Sequence, residues 1–159
     1  MKVLSGQFKG FKLKSSNIKE MRPTSSRVKK SLFDSIQNYI KGSSILDLYA
    51  GIGTLGIEAM SRGANKLISV ESNRKIFNIL NDNIFNVCNI VNAKTYCMKS
   101  ENYLKNNTDS FDIIFADPPY SSINLKDLKS IVFPLLNLNG LFVLETNEQL
   151  LNLDKYIIK

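Results

Sequence analysis

The sequence predicts an α/β fold in which a mostly parallel sheet is covered by helices on both faces. Strand-like apolar runs alternate with amphipathic stretches from residue 42 onward, the pattern of repeated β-α units. Runs such as FDIIF at 111–115 are nearly continuous in apolar residues, which suits strands buried on both faces. A glycine turn, GIGTLG at 51–56, leads straight from the first run into a helical stretch.

The chain has 159 residues, enough for one domain with a substantial core. Residues 1–159 are therefore expected to form a single domain, with a basic hairpin and helix over 1–41 and the catalytic core over 42–159. The formal charge of +7 is unevenly placed: residues 1–41 hold ten Lys and Arg against Glu20 and Asp34. The remainder holds eleven against twelve acids, so the amino-terminal quarter is a positive arm on a nearly neutral body. Such an arm suits a polyanion such as RNA, or serves as solvated surface charge. There is no histidine, which removes His-based triads and the commonest general acid and base. No metal site is expected. Cys88 and Cys97 form neither a CxxC pair nor a disulfide framework. No apolar stretch is long enough for a membrane span or signal region. The expectation is a cytoplasmic monomer with no membrane partner.

Along the chain, VLSGQFKGFKLK at 3–14 places Gly6 and Gly10 among alternating apolar and basic residues, the pattern of a short β-hairpin. Its basic face carries Lys9 and Lys12. MRPTSSRVKKSLFDSIQNYI carries Val28, Leu32, Phe33, Ile36 and Ile40 at helical spacing, with Thr24, Ser25 and Ser26 as caps and Lys41-Gly42 as its end. The glycine turn then opens a helix expected from Thr54 to Ser61, and KLISVES forms a second strand ending on Glu71. NRKIFNILNDNIFNVC is an amphipathic helix with Ile76, Ile79, Leu80, Ile84 and Val87 inward. KTYCMKS reads as a weaker third strand, followed by a short helix near ENYL. FDIIFA is the fourth strand, LKDLKSIVFPLLN the next helix, and GLFVLET a fifth strand after an Asn139-Gly140 turn.

The chemistry gathers at two of these turns. Gly51, Gly53 and Gly56 fit GxGxxG with Glu71 closing the next strand, which is compatible with a dinucleotide site and equally with a methyltransferase. Asp47, an acid just before the turn, sits badly beside a pyrophosphate but suits a cofactor with cationic groups, such as S-adenosylmethionine. It is also suited to capping backbone amides. In an open parallel sheet, ligands collect beyond the carboxyl ends of the strands, so the turns after strands one and four share a crevice. There Asp117 and the Pro118 carbonyl can accept from an amine while the Tyr120 ring stacks on a base. The plainer reading of DPPY is a rigid strand-ending turn.

DLYAGIGTLGIEAMSRGA, VES, FADPPY and MRPTSSRVKKSLFDSI together resemble the bacterial methyltransferases that modify guanine N2 in small-subunit (16S) ribosomal RNA. The resemblance runs from about Gly6 to Glu145. It implies a Rossmann-like, seven-stranded S-adenosylmethionine fold with an amino-terminal extension, acting on RNA in an assembling small subunit. It also implies that Asp47, Gly51, Gly53, Glu71, Ser100 and Asp117 bind cofactor, and that Asp117, Pro118 and Tyr120 hold the guanine. Arg22, Thr24 and Arg27, with Lys9 and Lys12, would face RNA. The same DPPY clamp serves DNA adenine N6 and protein glutamine in other methyltransferases, and a non-catalytic RNA-binding assembly factor could keep the fold. The chain departs from the pattern at Lys99-Ser100, where relatives place an acid or amide, and at Ser26 and Lys30. It stops at DKYIIK, where the family continues through a terminal strand pair, so the expectation is either a shortened strand pair or a truncated sequence.

Overall fold

The computed structural model describes residues 1–15, 26–88, 92–118, 125–145 and 156–158. Arg22, Thr24 and Tyr120 lie outside the described residues. Among the described residues six strands form one sheet: β1 (Ser44–Leu48), β2 (Lys66–Glu71), β3 (Ala93–Cys97), β4 (Phe111–Ala116), β5 (Leu136–Leu144) and β6 (Tyr156–Ile158). Their spatial order is β3-β2-β1-β4-β5-β6. The first five are parallel, and β6 runs antiparallel to β5 with Val143 opposite Tyr156. The order reverses between β1 and β4, which is where an open α/β sheet forms its ligand crevice.

Helices α1 (Ser26–Ser35), α2 (Gln37–Ile40), α3 (Thr54–Ser61) and α4 (Arg74–Cys88) bury apolar residues on one face of the sheet. Helices α5 (Ser100–Asn106) and α6 (Leu125–Val132) cover the other. Alternate residues of each strand feed the two cores: Ile45, Leu67, Ile113 and Phe115 join the first, while Leu46, Ile68 and Ile114 join the second. Among the described residues no helix is long and apolar enough to cross a membrane.

Three expectations about local structure need correction. The amino-terminal segment is a looped strap rather than a two-stranded hairpin, closed by a single antiparallel bridge between Lys2 and Lys12. Val3 donates to Phe11 and Leu13 to Met1 across it, while four amides between them go to α3: Glu58 accepts those of Leu4 and Ser5 at 2.8 and 3.0 Å, and Ser61 accepts those of Gln7 and Phe8. Second, Val28 is half-exposed, and the inward stripe of the α1–α2 segment is Lys29, Leu32, Phe33, Ile36 and Ile40. Both Val28 and Lys29 fit a helical repeat with Leu32, and the choice falls on Lys29 because Glu58 lies opposite. Third, Asn139-Gly140 lies inside β5 rather than before it. It belongs to an irregularity in which Phe111 pairs with Leu136 and Ile113 with Leu141, and Asn139 has φ +63°.

The Lys29 ammonium sits 3.2 Å from Glu58 Oε2, and both side chains are essentially sealed from solvent. Arg62 Nε donates to Glu58 Oε1 at 2.9 Å, and its guanidinium lies over the Phe33 ring. Burial pushes the Lys29 pKa down, opposed by the charge of Glu58. Removing one member of such a pair leaves the other charge buried without its counterpart. Glu58→Ala should therefore lower unfolding free energy by about 3–5 kcal/mol in urea titrations. Lys29→Met should cost less, because Arg62 and two amides still hold the carboxylate. Equal losses would show that the ion pair is not the organising element.

Candidate active site

The site forms where β1, β2, β4 and β5 end. β1 carries Asp47, buried to 2% exposure, in register with Ser69 of β2 and Phe115 of β4. Asp47 Oδ2 accepts the Gly56 amide at 3.0 Å, one of the donors that the first turn of α3 leaves without a helical partner. The capping reading is thus realised for one oxygen. Burial pushes the Asp47 carboxyl up to about 8, opposed by the Gly56 hydrogen bond and reinforced by the charges of Asp117 and Glu71. Those three acids are therefore electrostatic neighbours.

The glycine turn is held by side chains from three directions. Glu71 Oε2 accepts the Gly51 amide at 3.0 Å, and Oε1 accepts that of Asn73 at 2.7 Å. Each oxygen of a carboxylate has a second lone pair, so Glu71 retains acceptor capacity for hydroxyl groups. Ser100, 2% exposed at the start of α5, receives the Tyr49 amide on its hydroxyl at 3.3 Å. It braces the turn from below, while Lys99 is exposed beside it. Tyr49 has φ +56°, unusual for a bulky residue, and its hydroxyl donates to Glu101 at 2.9 Å.

The glycines divide the work. Gly51 has φ +56° and a side chain there would project into open space, so this position keeps the crevice wall low. Gly53, with φ +86°, lies against α4: an added Cβ would fall 2.7 Å from Leu80 Cδ1. At Gly56 a Cβ would meet Leu67 and Asp47, so the third glycine allows α3 to pack closely on the sheet.

On the other side of the switch point, Asp117 follows β4 and is partly exposed, with Pro118 buried next to it. Burial raises the Asp117 carboxyl to about 6, with the charge of Glu145 adding to the effect. Glu145 follows β5 as Asp117 follows β4, and its amide donates to the Ala116 carbonyl at 2.9 Å. Sequence reasoning passed over Glu145, although an acid closing the fifth strand as Asp117 closes the fourth was the available signal. Arg27, Lys9 and Lys12 are all exposed. Arg27 lines a shallow groove of about 450 Å³ with Lys30, Ser31, Asp34 and Ser35. Among the described residues, no group of three or more Cys, Asp or Glu side chains could hold a metal ion.

These residues fit S-adenosylmethionine. Asp47 is an acid whose carboxyl burial pushes up to about 8, Gly51 leaves room for a ligand, and Glu71 has lone pairs to offer. A parallel sheet in this order, with such a turn at its switch point, is the Rossmann-like fold of S-adenosylmethionine-dependent methyltransferases. The solved structure described as "Putative methyltransferase yhhF from Escherichia coli" superimposes with a TM-score of 0.82 at 27% identity, over 91% of this chain and 79% of that one. The chain belongs to the family described as conserved hypothetical protein 95, whose model matches residues 1–157. Among its relatives, "Ribosomal RNA small subunit methyltransferase D" of Buchnera aphidicola is 40% identical over 74% of this chain. The chain spans 62% of that protein's length. "Putative rRNA methyltransferase YlbH" of Bacillus subtilis is 36% identical, covering 94% of this chain and 84% of its own length.

The two turn glycines should respond differently to alanine. Left-handed backbone costs an L-residue about 1–2 kcal/mol at either position, and only Gly53 adds a clash. Thermal unfolding should show Gly53→Ala to be the more destabilised, with Gly51→Ala folded but showing a smaller thermal shift with S-adenosylhomocysteine.

Proposed function

We propose that this chain methylates the exocyclic N2 amine of a guanine in small-subunit ribosomal RNA, using S-adenosylmethionine, as a cytoplasmic monomer. The observation that carries the reading is the meeting of two acid-bearing turns across the β1–β4 switch point, Asp47 and Glu71 with the glycine turn on one side and Asp117-Pro118 on the other. The names of the relatives point to ribosomal RNA, and the exposed basic strap suits a polyanion.

In this reading Glu71 binds the ribose hydroxyls of the cofactor, Gly51 and Gly53 shape the bed for its methionine end, and Asp47 faces its cationic groups. Ser100 acts through Tyr49 and the turn. The cofactor supplies an electrophilic methyl group on a sulfonium. Asp117 and the Pro118 carbonyl accept the two hydrogens of the guanine amine, which turns its lone pair out of conjugation with the base. Tyr120 stacks on the ring, which must leave its helix to reach the crevice. The methylated nitrogen is strongly acidic, so Asp117 needs to orient rather than to act as a strong base.

Guanine is favoured over adenine by the neighbouring Glu145. The Watson–Crick edge of guanine presents two adjacent donors, N1–H and the N2 amine, which match two carboxylates at the ends of adjacent strands. Adenine presents an acceptor beside its amine, which a second carboxylate repels. Arg22, Thr24, Arg27, Lys9 and Lys12 are assigned to the RNA phosphates, and residues 1–41 to the RNA-binding part of a single domain.

Asp117→Ala should retain cofactor binding and lose about 10²-fold or more in labelled-methyl transfer to small-subunit RNA; unchanged turnover would sink the mechanism. The acceptor form is the ionised carboxylate, and its pKa is raised to about 6. Transfer should therefore fall as pH drops below about 6 and level off above it. Mass spectrometry of ribosomal RNA from cells lacking the gene should find one N2-methylguanine missing.

A further inference from the structure

Asn83 is a polar residue on the buried stripe of α4, one turn from Leu80, and is 1% exposed. Its side chain is fully committed to two backbone segments that are remote in sequence. Oδ1 accepts the Lys14 amide at 2.8 Å, and Nδ2 donates to the Lys14 carbonyl at 3.0 Å. The same Nδ2 donates to the Ile52 carbonyl at 3.0 Å. Lys14 closes the amino-terminal strap, two residues beyond the exposed Lys12, and Ile52 is the residue between Gly51 and Gly53 in the glycine turn.

One planar amide thus pairs with both backbone groups of the strap's end, as a neighbouring strand would, and with the residue at the centre of the turn. The geometry of an amide is rigid, so its three bonds are satisfied together only for one relative placement of strap and turn. The strap is also fastened to Glu58 and Ser61 on α3, the helix into which the turn leads, to Lys29 on α1 through the Lys2 carbonyl, and to Asp82 on α4 through the exposed Lys14 ammonium. A displacement of the turn that breaks the Ile52 bond leaves a buried donor without its acceptor, and the same holds for displacement at Lys14. Each segment therefore stabilises the position of the other.

We propose that Asn83 is a positioning residue that couples the cofactor crevice to the RNA-facing strap, so that ligand in one tightens binding at the other. This rests on the methyltransferase reading above. A ligand lying along Gly51 orders the turn and holds Ile52 in place; through Asn83 it holds Lys14, and with it the strap that presents Lys9 and Lys12. RNA that fixes the strap orders the turn by the reverse route. Linkage makes the two effects equal in size.

The first test uses the wild-type chain. Hydrogen exchange of the Lys14 amide, followed by NMR with and without S-adenosylhomocysteine, should slow about 5-fold or more when the ligand is present. Because bound ligand also slows every amide that exchanges through global unfolding, the same measurement on Asn83→Asp is the reference: no slowing in the wild type, or an equal slowing factor in the two proteins, overturns the proposal. The second test measures the dissociation constant of S-adenosylhomocysteine with and without saturating 16S ribosomal RNA. In the wild type RNA should tighten it about 5-fold or more. In Asn83→Asp, which keeps the acceptor for Lys14 and loses both donations, the ratio should approach one while each ligand still binds alone. An equal ratio in the two proteins overturns the coupling and leaves the methyltransferase reading standing. Failure of the wild type to bind either ligand overturns both.

Discussion

A carboxylate with no exposed surface sits in the second turn of the helix that follows the glycine turn. Withdrawing such a charge from water is expensive, and the chain meets the cost with Lys29, the Arg62 guanidinium and the amides of Leu4 and Ser5. Glu58 thereby joins α1, α3 and the amino-terminal strap at one point. The position of α3 depends on that junction, and the position of the glycine turn depends on α3, because Asp47 caps the helix and Gly53 and Gly56 pack against α4 and the sheet. What looks like an appendage is part of the frame that shapes the cofactor side of the crevice.

The electrostatic layout has two halves. The strap and α1 concentrate basic residues, although Lys29 is spent internally and Lys14 and Lys30 pair with Asp82 and Asp34. Lys9, Lys12 and Arg27 remain exposed. The crevice concentrates acids instead: Asp47, Glu71, Asp117 and Glu145 all close strands that end on the same side of the sheet. Burial disfavours the charged forms of Asp47 and Asp117, and the charges of neighbouring acids add to the effect. A cationic cofactor rich in hydrogen-bond donors relieves that strain.

The order of strands and helices, the glycine turn with its acid before it, and the acid closing β2 were all legible, because each rests on local periodicity or on residues close in sequence. The α3 limits, Thr54–Ser61, coincide with the expectation. Where reading went astray, two local solutions were equally good. Val28 and Lys29 both continue a helical stripe, and only Glu58, nearly thirty residues on, selects the lysine. The strap alternates like a hairpin, yet the amides of Leu4, Ser5, Gln7 and Phe8 are claimed by α3, and one bridge is left. Asn83 carried no local signal, because its partners, Lys14 and Ile52, are far away in sequence.

The sequence alone thus determined the fold class and the chemical types gathered at the two turns, since backbone propensity, apolar spacing and side-chain chemistry are properties of short segments. Only the tertiary structure decided which polar groups face the crevice and which are consumed in holding it: Ser100 bracing Tyr49, Asp47 capping α3, Lys29 neutralising Glu58, Asn83 joining strap to turn. That decision depends on the cost of burying an unpaired polar group, and the partner that removes the cost is supplied by a segment distant in the chain.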